Sequence, residues 1–318
     1  MAQIETMGKT SRGTEVRRVS LRSESLQVSV LTLGAVLHSV RLAGVDYDLT
    51  LGSDKLADYE GAMGYYGSLI APVVNRIAGA QAQVAGRAAQ LEANFLGKHC
   101  LHSGTTGAQH QVWDIADHGD DHVTLALHLP DGLGGFAGAR DVTARFSLRR
   151  DTLRLDVAVR SDAPTLWNAA NHSYWNLDGM ADYRGHVLRV AAGHYLPTNL
   201  EFIPTGEVVD VTGTPFDFRA GRVIAPSDPP LDNSFCLSNA QVALREVLML
   251  RGNSGVTLRL STTEAGVQLY DCRHDGYRGV AIEAQNWPDA PHHAGFPSID
   301  LAAGVQRVQS TAWQFSKG

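Results

Sequence analysis

Apolar and polar residues alternate with period two along most of the chain. Leu26, Val28 and Val30 are interleaved with Gln27 and Ser29, and Val123, Leu125, Leu127 and Leu129 with Thr124, Ala126 and His128. Leu153, Leu155, Val157 and Val159 alternate with Arg154, Asp156 and Ala158, and Val256, Leu258 and Leu260 follow the turn-forming string Arg251-Gly252-Asn253-Ser254-Gly255. Successive side chains of a strand point to opposite faces. This period therefore predicts half-buried strands of antiparallel sheets, one face apolar and the other wet. Clusters of Gly, Asp, Asn and Pro between the runs supply the turns. No segment keeps a 3.6-residue apolar period for three or four turns, and the most helix-like stretch, 53–59, is short. The expectation is an all-β fold, a large antiparallel β-sandwich.

At 318 residues, a typical domain size of about 150 would suggest two domains. No linker, low-complexity segment or repeat divides the chain, so one domain over residues 1–318 is expected, with residues 1–12 a loose tail. Such a length buries an ample core without a disulfide or metal staple. With 27 Lys and Arg against 33 Asp and Glu, the net charge of −6 lacks the electrostatic footprint of a nucleic-acid partner. The polar start of the chain has no apolar leader region, and no apolar run approaches the ~18 residues of a membrane span. Cys100, Cys236 and Cys272 are odd in number, far apart and outside any C-x-x-C pattern, so free thiols and a cytoplasmic setting are expected.

Three segments carry candidate chemistry. In 165–177, an extended backbone would put Asn168, Ala170, His172 and Tyr174 on one face and Trp167, Asn171, Ser173 and Trp175 on the other. An imidazole with an unperturbed pKa of about 6.5 suits general acid or base work, although a structural histidine beside packed aromatics is the commoner outcome. In 279–297, Val280 and Ile282 would face a core and Ala281, Glu283 and Gln285 the opposite side. A carboxylate there suits a general base in a cleft, against the commoner fate of a lone exposed charge. In 65–79, the Asn75-Arg76 pair inside an apolar run needs partners, either an ion pair or a ligand. His99, His102, the 231–235 segment and Gln268, which faces opposite Val267 and Leu269, complete the set.

Taken in order, Asn75-Arg76-Ile77, Leu101-His102, the 171–177 segment from Asn171-His172 to Leu177, Asp232 with Phe235, Gly266-Val267-Gln268 and the 283–291 segment from Glu283 to Pro291 resemble the aldose 1-epimerase (galactose mutarotase) family. Segments 203–207 and 213–218 are also similar to it, and the resemblance spans roughly residues 20–315. It implies a β-sandwich with a sugar cleft on one sheet. The implied reaction interconverts the α and β anomers of a free hexose, such as galactose or glucose, through the open-chain aldehyde. The resemblance makes Glu283 the general base on the C1 hydroxyl and His172 the general acid on the ring oxygen. Asn75, Arg76, His102, Tyr174, Asp232 and Gln268 match sugar-contacting positions, and Trp175 is left to packing. Because Glu283 must be ionised while His172 is protonated, their environments should push their pKa values apart. No metal or organic cofactor is implied, since there is neither a redox step nor a phosphate leaving group, and the expected partner is a small-molecule sugar.

The chain departs from the family pattern at several places. Ala71-Pro72 replaces a frequent Gly-Arg, Ser103-Gly104 follows Leu101-His102, Asn233-Ser234 stands where His-Asn is common, and Ala284 replaces a frequent Thr. These changes bear on which sugar is preferred. Two rival functions follow from the same residues. A hexose-6-phosphate epimerase would need a basic cluster, and Arg76 is the only Arg inside these motifs. A non-catalytic sugar-binding protein on the same fold would not require both His172 and Glu283. A metal site on His99, His102 or His292-His293 lacks a recognisable zinc spacing.

Overall fold

A computed structural model describes residues 3–318, and its strands fall where the period-two runs place them. Leu26–Leu31, His122–Leu129, Thr152–Ser161 and Val256–Thr262 are all strands, and the only α-helix among the described residues is the single turn Leu56–Tyr59. The largest sheet has nine antiparallel strands in the order Asp114–Gly119, His122–Leu129, Arg140–Arg149, Thr152–Ser161, Gln306–Lys317, Val256–Thr262, Arg245–Arg251, Val187–Val190 and Arg222–Val223. The strand Gln306–Lys317 pairs with Thr152–Ser161 on one side and Val256–Thr262 on the other, so the end of the chain locks two distant parts together.

A six-stranded sheet faces it, ordered Tyr174–Trp175, Val280–Gln285, Gly266–Tyr270, Asp232–Cys236, His194–Leu196 and Val209–Asp210. The apolar faces of the two sheets share one buried cluster, in which Val142, Phe146, Leu155, Leu258 and Leu260 join Val267, Leu269, Val280 and Ile282. Trp175, fully buried, packs its ring 6.2 Å from Trp313 and 5.6 Å from Phe315 of the nine-stranded sheet. A third, four-stranded sheet is formed by Gln3–Lys9, Glu15–Arg22, Leu26–Leu31 and Leu37–Leu42. Among the described residues no helix is long and apolar enough to cross a membrane, and the three cysteines are unpaired.

Two expectations need correction. Within 1–12, residues 1 and 2 lie outside the described residues, but Gln3–Lys9 is no loose tail. It pairs antiparallel with Glu15–Arg22, and Ile4 and Met7 pack against buried clusters, which ties the strand down. Nor is 165–177 one strand. It breaks into Thr165–Leu166, Ala170–Asn171 and Tyr174–Trp175, which pair with Asp300–Leu301, Leu69–Ile70 and Val280–Gln285 respectively. Side-chain amides complete the backbone pairing at the breaks. Asn168 Oδ1 accepts from the Asn286 amide at 2.8 Å, and Asn171 Nδ2 donates to the Gly67 carbonyl at 2.7 Å.

Because Trp175 joins the two sheets, Trp175→Ala should cost about 3–5 kcal/mol of stability in urea unfolding. A loss under about 1 kcal/mol would show that the sheets do not depend on this contact.

Candidate active site

Directly paired residues of adjacent strands project on the same face of a sheet. In the six-stranded sheet, Gln268 pairs with Glu283 and Ser234 with Gln268, so Glu283, Gln268 and Ser234 form one row. A parallel row runs through Tyr174, Ala281, Tyr270 and Asp232. The alternation that sends Val280 and Ile282 into the core thus delivers Glu283 to the other face.

His172 reaches Glu283 from the break between two short strands. Its amide donates to the Ser68 carbonyl at 2.9 Å, and its carbonyl accepts from the Gly67 amide at 3.0 Å. Gly67 has φ 71°, and a Cβ there would collide with the Leu37 carbonyl oxygen, so this clamp requires glycine. The result places His172 Nε2 3.5 Å from Glu283 Oε1, with both side chains buried. Glu283 Oε2 and His172 Nδ1 have no hydrogen-bond partner.

His102 and Asn75 come from the ends of the paired strands Cys100–Leu101 and Arg76–Ile77. Both have left-handed backbones, φ 51° and 65°, a strain that surrounding structure must hold. Here the hold is reciprocal. The His102 amide donates to the Asn75 carbonyl at 2.9 Å, and the Asn75 amide donates to His102 Nδ1 at 3.1 Å. That second bond makes Nδ1 an acceptor and assigns the proton of the neutral ring to Nε2. The His102 ring lies 5.3 Å from the His172 ring, and the Tyr174 ring lies 5.1 Å from His172.

Asp232 closes the opposite wall. Its Oδ1 accepts from Gln268 Nε2 at 2.6 Å and its Oδ2 pairs with Arg76 Nη2 at 3.1 Å. The Arg76 guanidinium also stacks over Phe95 and Phe202, 4.8 and 5.1 Å from their ring centres. All eight residues singled out from the sequence therefore converge on one cleft. Sequence reasoning left out Tyr65, whose ring covers His172 at 6.0 Å and His102 at 4.7 Å, together with Phe95, Phe202 and Ser234. Ser234 had a readable signal, since it lies two residues from Asp232 on a strand. Phe95 and Phe202 come from loops, where no periodicity points inward.

Burial dominates the electrostatics. It pushes the Glu283 carboxyl up to about 8, with the Asp232 charge adding and Arg76 opposing. It pushes His172 down to about 4, and Arg76 adds to the lowering. His102 is held well below its ordinary value by burial and then by His172 and Arg76. Burial and the Glu283 charge together raise the Tyr174 phenol. The pair is thus pushed apart in the sense opposite to an ionised Glu283 beside a protonated His172. Both directions favour neutral forms, His172 deprotonated and Glu283 protonated, near neutral pH. That state contains the same number of protons as the expected charged pair.

Donor atoms of His102, His172 and Glu283 all lie within 4.8 Å of one another, a spacing that could accept a cation. These are the groups through which proton chemistry would also have to pass. The other histidines weighed as ligands are engaged elsewhere: His99 between Gly79 and Glu201, His292 and His293 around buried Asp289. The departures at Ser103 and Asn233 stitch backbone together. Ser103 Oγ bonds to both the amide and carbonyl of Val73, and Asn233 Nδ2 donates to the Leu196 carbonyl at 3.1 Å. Ala284 packs in the core.

A β-sandwich carrying a buried carboxyl–imidazole pair beside a wall of hydrogen-bonding side chains has the form of a proton-transfer site. Comparison with known proteins narrows it. The family model "Aldose 1-epimerase" matches residues 17–313. Galactose mutarotases of Rattus norvegicus and Homo sapiens are each 30% identical, with 96% of both chains covered, and an aldose 1-epimerase of Haemophilus influenzae is 29% identical over the same shares. A GalM/aldose epimerase homologue from C. elegans superposes with a TM-score of 0.88 at 25% identity, covering 94% of this chain and 98% of that one. Galactose 1-epimerase from Lactobacillus acidophilus gives 0.87 at 24% identity, covering 100% and 99%. The chain belongs to the aldose 1-epimerase family, and it is an isomerase of that kind.

The raised Glu283 carboxyl predicts a pH-dependent stability cost. The folded protein keeps a proton that the unfolded chain releases near pH 4.5, so stability is lost as pH rises from there to about 8. Glu283→Gln removes this cost. Its stability advantage should grow across that window to a few kcal/mol and then level off, as read by denaturant midpoints at stepped pH. A constant difference across the window would contradict the assignment.

Proposed function

We propose that this protein interconverts the α and β anomers of a free hexose such as galactose or glucose, with Glu283 as general base and His172 as general acid. The observation that carries the reading is the 3.5 Å contact between His172 Nε2 and Glu283 Oε1, buried and without competing partners. The pair holds one proton near neutral pH, resting on Glu283. Sugar hydroxyls entering the cleft solvate the carboxylate, and the proton passes to His172 with no net uptake. Glu283 then takes the proton of the C1 hydroxyl while His172 donates to the ring oxygen. The C1–O5 bond breaks and the aldehyde forms. Rotation about C1–C2 exposes the other carbonyl face, and the two transfers run in reverse to close the ring. Each positioned group contributes about 10²–10⁴-fold over water.

The remaining side chains hold the sugar. The neutral His102 ring offers its Nε2 proton, and the Asp232–Arg76–Gln268 network, Asn75 and Tyr174 meet ring hydroxyls. A site built around such hydroxyls leaves polar groups unpaired when the wrong epimer enters. A hexose 6-phosphate is the weaker reading, because Arg76 is already paired to Asp232 and two carboxyl groups face the cleft. A binding protein without activity is weaker still, since a buried imidazole and carboxyl placed together cost stability without aiding recognition. We take the matched region to act as one unit, on a small-molecule sugar as partner and in the cytoplasm, in keeping with the unpaired cysteines.

Freshly dissolved α-anomers followed by polarimetry or NMR should equilibrate faster with the protein for at least one hexose, and an unchanged rate with every sugar would sink the reading. Glu283→Gln and His172→Asn should each lose at least ~10²-fold in kcat/KM while keeping the parent circular dichroism spectrum. Full activity in either would overturn the role assignment. The pH profile of kcat/KM should be bell-shaped, falling below about 4 as the pair gains a second proton and above about 8 as it loses its last. A profile flat through pH 9 would exclude Glu283 as the group that titrates.

A further inference from the structure

Ser234 takes no part in the reaction above, yet its hydroxyl faces the same cleft. The side chain is 2% exposed and its Oγ has no hydrogen-bond partner. A buried hydroxyl left unpaired is costly, so its natural complement is an atom that arrives with a ligand. Ser234 lines a narrow pocket with Asp232, Gln268, Arg76 and the apolar Leu196 and Pro288. The neighbouring Asn233 is spent on the Leu196 carbonyl and contributes nothing to it.

Register fixes the distance to the reacting end. Ser234 pairs with Gln268 and Gln268 with Glu283, so Ser234 stands two strand spacings, about 9.6 Å, across the sheet from Glu283. That backbone spacing is of the order of one pyranose ring with a hydrogen bond at each end. A ring whose C1 hydroxyl meets Glu283 lies over Gln268 and directs its diagonal carbon, C4, toward Ser234. We propose that Ser234 is a specificity-determining residue whose Oγ hydrogen-bonds the sugar's 4-hydroxyl and so reads the configuration at C4. This rests on the epimerase reading for the placement of C1 at Glu283.

The test compares the parent with Ser234→Ala on galactose, on glucose, which differs from it only at C4, and on the 4-deoxy analogue of the two. Both kcat/KM and the dissociation constant from NMR titration are measured. The parent's preference for its better hexose over the 4-deoxy sugar should shrink about 5–10-fold in Ser234→Ala, in binding as well as turnover. An equal fold loss on all three sugars would overturn the proposal, as would failure of the parent to bind any of them. If the binding preference shrinks as expected but no anomer is interconverted, the anchoring role stands and the epimerase reading fails.

Discussion

The site depends on keeping a carboxyl and an imidazole buried against each other with a single proton between them. Two separate buried charges would each cost several kcal/mol, and a lone buried charge would cost more than the fold can spare. Glu283 and His172 lower that cost, because burial favours the neutral form of each group. The proton that keeps them neutral is also the proton the chemistry needs. Moving it across the 3.5 Å contact creates a carboxylate and an imidazolium without exchange with solvent. Sugar hydroxyls are well suited to tip that balance, being neutral donors that solvate the charge they help create.

Such a pair is useful only if it is held still. Glu283 is held by a central strand, paired on both sides and backed by the apolar layer between the two large sheets. His172 is held by backbone bonds to residues 67–68 rather than by a long strand, and Tyr65 and Tyr174 brace its ring. Asn75 and His102 hold each other in strained backbone conformations. Arg76 and Asp232 neutralise each other, so the far wall offers hydrogen bonds without a net field strong enough to capture an anion.

The sheets were legible because one buried face per strand forces period-two alternation. The same rule placed Glu283 opposite Val280 and Ile282, and the ordered motifs brought all the candidate side chains to one cleft. Other features left no mark in the pattern. The 165–177 segment lacks that alternation, and at its breaks asparagine amides replace ladder partners, which hydrophobicity does not mark. Gln3–Lys9 is an edge strand with only half-buried apolar residues, which reads as a tail. Phe95 and Phe202 reach Arg76 from loops. The sense of the Glu283 and His172 shifts was also hidden, because it comes from burial, a property of the assembled fold.

Near neutral pH, burial favours the shared proton on Glu283 and a neutral His172. Infrared difference spectroscopy between the sugar-free parent and Glu283→Gln reads this directly. The account predicts a protonated carboxyl C=O band at pH 6–7 that vanishes in Glu283→Gln and is lost in the parent as pH passes about 8. An ionised carboxylate signature for Glu283 throughout that range would contradict it.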